Sequence, residues 1–264
     1  MEPCKGLRQY TIASEAVREL YKLMRSKQDL QYNLTVRTVY NKLYNRMSIR
    51  DALASLQTFV DVSDPDINLP NIVHLYQTAE GIRSAGLPDW MQLVGLIHDL
   101  GKCIYLRGQT ALGTSLDAQW GIVGDTFIVG EPLPSVLIYP EFNSLNPDSN
   151  LSIYIKHCGL DNCLVSFGHD EYMYQVLTQN PGCTIPLEGL YMIRYHSLYA
   201  WHTGGAYKHL ESETDIKMKP SVKLFNSFDL YTKENKECTP EYLLELQNYY
   251  DILIKKYLPE TLLF

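Results

Sequence analysis

The run Trp90-Met-Gln-Leu-Val-Gly-Leu-Ile-His-Asp-Leu-Gly-Lys102 constrains this chain more than any other stretch. Trp90, Met91, Leu93, Val94, Leu96, Ile97 and Leu100 cover every side of a helix, so the segment predicts a central helix with neighbours all round. Pro88 and Asp89 mark its start and Gly101 its end. His98, Asp99 and Lys102 stand at that end. An ionised carboxylate buried without a partner is costly, so Asp99 has to be paired or bound to a cation. A His-Asp pair at a helix end is commonly just a hydrogen-bonded structural pair, so a metal site needs further ligands.

Composition narrows the search. A chain of 264 residues suits one domain, expected over 1–264. The net charge is −7 with Lys and Arg scattered, which gives no footprint of a nucleic-acid or membrane-surface binder. Small, neutral partners are expected. Residues Met1 to Tyr10 lack the apolar core of a signal peptide, and no stretch approaches a membrane span, so a soluble cytoplasmic protein is expected. The six cysteines show no zinc spacing and are assigned no role.

In chain order, Ser14 to Lys27 carries Val17, Leu20, Tyr21 and Met24 at helical spacing behind a Ser14 cap. Ser48-Ile-Arg-Asp51 reads as a capping box before a stripe of Leu53, Leu56, Phe59 and Val60. Asp61 to Asp66 reads as an acidic loop leading to Pro70 and a helix from Asn71 to Arg83, whose face carries His74, Thr78 and Gly81. Between Cys103 and Ser152 short β-rich runs broken by Gly and Pro predict loops with a small β-hairpin, and Gly108 to Asp117 a surface insertion. Further helices are expected over Asp170 to Gln179 (His169 at the mouth), Leu187 to Ser197, Lys223 to Lys233 and Pro240 to Tyr257. The fold class is mostly α.

His74, His98, His169 and His196 all lie on or beside expected helices, and Asp99 and Asp229 are carboxylates in apolar surroundings. Six such residues suit two metals. Four imidazoles with a carboxylate able to bridge favour a transition metal over magnesium or calcium. The order His74, His98-Asp99, Asp229 resembles the HD-domain superfamily, helical bundles built around one or two metals, and the two extra histidines point to a dinuclear member.

Longer matches narrow this. Ser63-Asp-Pro-Asp66, Tyr76-Gln-Thr-Ala-Glu-Gly-Ile-Arg83, Leu93 to Lys102, Val123-Gly-Asp-Thr-Phe127, His157-Cys-Gly-Leu-Asp161, Gly168 to Val176, Tyr191 to Ser197, Trp201-His-Thr-Gly204 and Phe228 to Lys233, in this order, closely resemble the myo-inositol oxygenase family. The resemblance runs from about Leu7 to the carboxyl terminus. It implies a mixed-valent Fe(II)/Fe(III) pair and no organic cofactor, with His74, His98 and Asp229 on one iron, His169 and His196 on the other, and Asp99 bridging. It implies that Lys102 and Asp99 are catalytic, Lys102 contacting a substrate hydroxyl near the reacting carbon and helping proton movement there. Asp61, Gly124, Asp125, His196, Ser197 and Lys233 would bind the rest of a neutral polyol, while Arg8 and Tyr21, within a lid over residues 1–30, would close over it. The implied reaction cleaves the ring of myo-inositol with O2 to give D-glucuronate, in a monomer that binds neither nucleic acid nor membrane. Gln31 to Met47 and the 108–117 segment depart from the family pattern. The alternatives are an HD-type metal-dependent phosphohydrolase, which calls for a cluster of Arg and Lys, a di-iron oxygenase of another polyol, and a catalytically idle binding relative.

Overall fold

The computed structural model describes residues 13–64, 69–231 and 240–264. Helices dominate these residues: α1 Glu15–Lys27, α2 Leu30–Tyr40, α3 Ile49–Ser55, α4 Asn71–Ser84, α5 Asp89–Ile97, α6 His169–Gln179, α7 Leu187–Tyr195, α8 Tyr199–His202, α9 Glu213–Tyr231 and α10 Pro240–Tyr257. Side-chain caps set the starts of some of them. Ser14 accepts from Val17 N at the start of α1, and Ser48 and Asp51 form a reciprocal capping box at the start of α3.

At the centre lies α5, with Met91, Leu93, Val94, Leu96 and Ile97 all buried; it packs against α4, α7 and α10. It stops short of Gly101, the end expected from the sequence. Asp99 sits at φ −91°, ψ 0°, and the chain tightens into a 3-10 helix over Leu100–Arg107. A continuing α-helix would turn adjacent side chains about 100° apart. The bridge-region turn at Asp99 lets His98 and Asp99 face one cavity instead.

Other expectations are corrected. Local pairing between Cys103 and Ser152 is confined to an isolated antiparallel bridge of Ser115 with Ala118; β2 (Ile128–Val129) pairs antiparallel with the distant β3 (Leu164–Val165), and Ser135 to Tyr139 is made of turns and bends. A second two-stranded ladder joins β1 (Arg46–Met47) to β4 (Leu262–Leu263). The 108–117 segment is pinned rather than a free surface insertion. Thr114 is fully buried with Oγ1 2.7 Å from Tyr40 Oη, and Tyr32 Oη donates to the Leu112 carbonyl at 2.8 Å. Both tyrosines belong to α2, an element not assigned from the sequence, whose Asp29 cap accepts from Tyr32 N at 2.7 Å. The start of α9 lies ten residues before the expected Lys223, at a capping box of Ser212 and Asp215, and the helix carries Pro220 in its interior. No helix among the described residues is long and apolar enough to cross a membrane.

Candidate metal centre

α4 brings His74, the end of α5 brings His98 and Asp99, the first turn of α6 brings His169, the end of α7 brings His196, and α9 brings Asp229. All six side chains are buried. Their imidazoles form a chain of edge-to-face neighbours, with ring centroids 5.1 Å apart for His74 and His98, 4.9 Å for His98 and His196, and 5.1 Å for His196 and His169.

Backbone carbonyls set the orientation of three rings. The Nδ1 of His98 lies 2.9 Å from the Gly95 carbonyl, that of His169 2.6 Å from Ile122, and that of His196 2.8 Å from Ile193. A carbonyl only accepts, so each Nδ1 carries a proton and each ring turns its Nε2 into the cluster. This is how metal-binding histidines are commonly held. His98 Nε2 is buried with no hydrogen-bond partner. His74 Nε2 lies 2.9 Å from Asp229 Oδ1, and Tyr199 Oη donates to Asp229 Oδ2 at 3.4 Å.

Asp99 stands between the two groups of donors. Its Oδ1 is 2.9 Å from His169 Nε2 and 3.5 Å from His196 Nε2, whereas its Oδ2 is 3.8 Å from His74 Nε2 and 3.7 Å from His98 Nε2. Lys102 Nζ donates to Asp99 Oδ2 and Asp61 Oδ2, each at 2.6 Å, and Asn71 Nδ2 donates to Asp99 Oδ2 at 3.0 Å.

The charges explain the titration behaviour. Burial alone would raise the Asp99 carboxyl, but the Lys102 ammonium and the His98 and His169 imidazoles outweigh it and hold the group well below the usual carboxylate range. Burial would also raise Asp229, but the hydrogen bond with His74 and the nearby His98 imidazole outweigh it and hold the group well below the usual carboxylate range. Lys102 is driven the other way: burial would lower it, while Asp61 and Asp99 together raise it above its ordinary value, so it stays an ammonium. His169 is pushed up to about 10, since the nearby Asp170 and Asp99 overcome the cost of burying a cation there. A field that draws a proton onto a ring nitrogen also favours a metal cation beside it.

The donor set fits metal. Asp99, Asp170 and Asp229 are buried carboxylates, and the ammonium among them is Lys102. Such an excess of buried negative charge is tolerable when cations share the space. Three overlapping triads, His74/His98/Asp229, His98/Asp99/His196 and His169/Asp170/His196, each place their donor atoms within 4.8 Å of one another. Nitrogen-rich sets of this kind suit a transition metal.

A cleft open to solvent at its mouth reaches this cluster. Asp61, Lys102, Gly124, Asp125, His196 and Ser197 line it, with Ser63, Asp64, Leu69, Asn71 and Tyr199 beside them. Gly124 has φ +88°, and a Cβ there would fall 2.7 Å from the Cε of Met24 on α1, so a glycine lets the loop and α1 meet. From the same helix Tyr21 Oη donates to Asp125 Oδ1 at 3.2 Å. Arg8 and Lys233 lie outside the described residues. Asp170, Asn71 and Tyr199 were not singled out from the sequence. For Asp170 a signal existed: His169-Asp170 repeats the His98-Asp99 dipeptide.

Comparisons with known proteins identify the family. The sequence model of the family described as "Myo-inositol oxygenase" matches residues 14–264. The chain is 46% identical over 253 residues to "Inositol oxygenase" of Mus musculus, covering 92% of this chain and 84% of that protein. It is 44% identical to the protein of that name from Danio rerio, covering 92% and 86%, and 40% identical to that of Dictyostelium discoideum, covering 97% and 88%. A match of this extent, on a helical fold that gathers these imidazoles and carboxylates, places the chain in the myo-inositol oxygenase family.

Proposed function

We propose that this chain is an inositol oxygenase that cleaves the ring of myo-inositol with O2 to give D-glucuronate at a mixed-valent di-iron centre. The observation that carries the reading is the convergence of four imidazole Nε2 atoms on Asp99 and Asp229, with His98 Nε2 buried and unpartnered. His74, His98 and Asp229 would hold one iron, His169 and His196 the other, and Asp99, with an oxygen toward each group, would bridge. When bound, the irons supply the one-electron chemistry toward dioxygen that amino-acid side chains lack. All electrons for dioxygen come from the polyol, so no organic cofactor is needed.

The chain's own groups bind and orient. Lys102, held between Asp61 and Asp99, donates to a substrate hydroxyl near the reacting carbon and helps proton movement there. Asp61, Asp125 and Ser197 with the Gly124 backbone offer the mixed acceptors and donors that a polyol requires, and Lys233 and Arg8 are proposed to add to them. His196 sits where metal and substrate meet. Tyr21, tied to Asp125, brings α1 across the cleft, which limits water at the reacting centre. We further propose a cytoplasmic monomer, as the resemblance to the family implies.

A phosphohydrolase would need cations for its substrate. Among the described residues lining the cleft, Lys102 is the one Lys or Arg side chain, and carboxylates already engage it. The test is oxygen uptake by anaerobically prepared, iron-loaded protein on addition of myo-inositol, with a uronic-acid assay on the same sample. Equal amounts of O2 consumed and glucuronate formed are expected. No uptake with two irons bound would remove myo-inositol as the substrate, and phosphate release from phosphoesters would reinstate the hydrolase.

A further inference from the structure

Cys158 and Cys163 come together outside the metal centre. Their Sγ atoms are 3.6 Å apart, across a turn that contains the 3-10 helix Leu160–Asn162. A disulfide requires about 2.05 Å between its sulfurs, so a closure of about 1.5 Å would join them.

Little opposes that closure. Both thiols donate to one acceptor, the Gly159 carbonyl, at 3.6 Å from Cys158 Sγ and 3.5 Å from Cys163 Sγ. A thiol is a weak donor, so either contact is given up at small cost. The backbone meanwhile keeps the two residues near each other: Asn162 Nδ2 donates to the Cys158 carbonyl at 2.7 Å, and Cys163 N donates to the Leu160 carbonyl at 3.0 Å.

The two sulfurs differ in access. Cys158 is half-buried and lies outside any helix or strand, whereas Cys163 is buried. Burial, and then the neighbouring Cys158, push the Cys163 thiol above its ordinary value. An oxidant from solvent therefore meets Cys158 first, with Cys163 waiting in contact behind it.

We propose that Cys158 and Cys163 are a peroxide-responsive modification site that closes reversibly into a disulfide. The Cys158 sulfur attacks hydrogen peroxide; its S–O bond forms, the O–O bond breaks and one water leaves. Cys163 then attacks the Cys158 sulfenic acid; the S–S bond forms, the S–O bond breaks and a second water leaves. Two thiols are oxidised and one peroxide is reduced. In a reducing compartment the pair stays a dithiol until such an oxidant arrives. Asp161, inside the closed ring, accepts from Tyr191, Arg194 and Tyr195 of α7, so the bond braces the turn bound to the helix that leads to His196.

The test is peptide mapping of the full chain, loaded with Zn(II) so that the bound metal does not itself reduce peroxide. Protein is treated with hydrogen peroxide, its remaining thiols are alkylated under denaturing conditions, and the chain is cut before Asp161, between the two cysteines. The expected product is a pair of peptides joined through Cys158 and Cys163, lighter by two hydrogens and separated by dithiothreitol. Cys183, also half-buried, is the reference thiol and should be consumed about tenfold more slowly or less. In Cys163→Val the peptides should never join, and Cys158 should instead accumulate as a dimedone-trapped sulfenic acid. Three wild-type results each overturn the proposal: both cysteines still alkylated once Cys183 has reacted, Cys158 driven to sulfinic acid without joining, or Cys158 joined to another cysteine. The wild-type map decides even if the variant does not fold.

Discussion

Gly101 and His169 meet backbone to backbone: a Cβ on Gly101 would fall 2.0 Å from the His169 carbonyl oxygen and 2.9 Å from its carbon. This contact seats the segment carrying Lys102 against the first turn of α6, so it joins two parts of the site that are distant in sequence. Gly101→Ala is expected to force them apart, costing about 2 kcal/mol or more by overpacking. Thermal melting together with metal content reads it; wild-type values for both would contradict the stated role of the contact.

Lys102 is buried between Asp61 and Asp99, 2.6 Å from each. Lys102→Met removes the cation and leaves two carboxylates facing each other. In metal-free protein this should cost about 3–5 kcal/mol, the usual penalty for orphaning a buried charge, and less once metal is bound. With metal, kcat/KM for the polyol should fall by about a hundredfold. Denaturant melts with and without metal, beside steady-state kinetics, separate the two effects.

Tyr21 Oη donates to Asp125 and also accepts from Asp125 N at 3.4 Å. Tyr21→Phe keeps the buried ring and deletes the hydroxyl, a loss of about 1 kcal/mol. The expected result is a KM for myo-inositol raised about fivefold, at unchanged metal content. A KM equal to wild type would detach α1 from substrate binding.

Asp89, in the first turn of α5, accepts from Lys256 Nζ at 2.5 Å and Tyr257 Oη at 2.6 Å on α10. These hydrogen bonds, Lys256 first, hold its pKa below the ordinary 3.8. A carboxylate with a depressed folded-state pKa stabilises the fold above its unfolded value and loses that contribution as pH falls through the folded one. The stability difference between wild type and Asp89→Asn should therefore be present at neutral pH, modest because the pair is solvent-exposed, and should vanish well below pH 3.8. Urea melts across the acid range measure it; a difference that grows on acidification would reverse the sign.

Chelation should lower thermal stability. A ligand held a thousandfold above its Kd contributes about 4 kcal/mol, and stripping it also leaves Asp99, Asp170 and Asp229 buried without metal. Differential scanning of metal-loaded and chelated protein should show a clear drop in Tm, restored by adding Fe(II) without oxygen. An unchanged Tm would argue that protons alone neutralise the cluster.

Local physics made much of the helical framework legible. The stripe on α1 behind Ser14, the capping box before α3 and the Pro240–Tyr257 span of α10 depend on neighbours a few residues away. The pairing of Ile128 with Val165 and the burial of Thr114 under Tyr40 join residues far apart in the chain, and periodicity carries no such information. The start of α9 escaped notice because Pro220 interrupts an otherwise continuous helical pattern.

The sequence by itself determined which side chains are available as donors, because histidines and aspartates set within apolar helical runs cannot stay unpartnered once buried. Only the tertiary structure decided which of them share a space. The approach of α6 to the Gly101 turn, of α7 to α5 and of α9 to α4 sets distances of a few ångströms between residues up to 155 positions apart. That approach turns Asp99 toward both groups of imidazoles and places Asp170 against His169, because close packing fixes relative positions that no local pattern encodes.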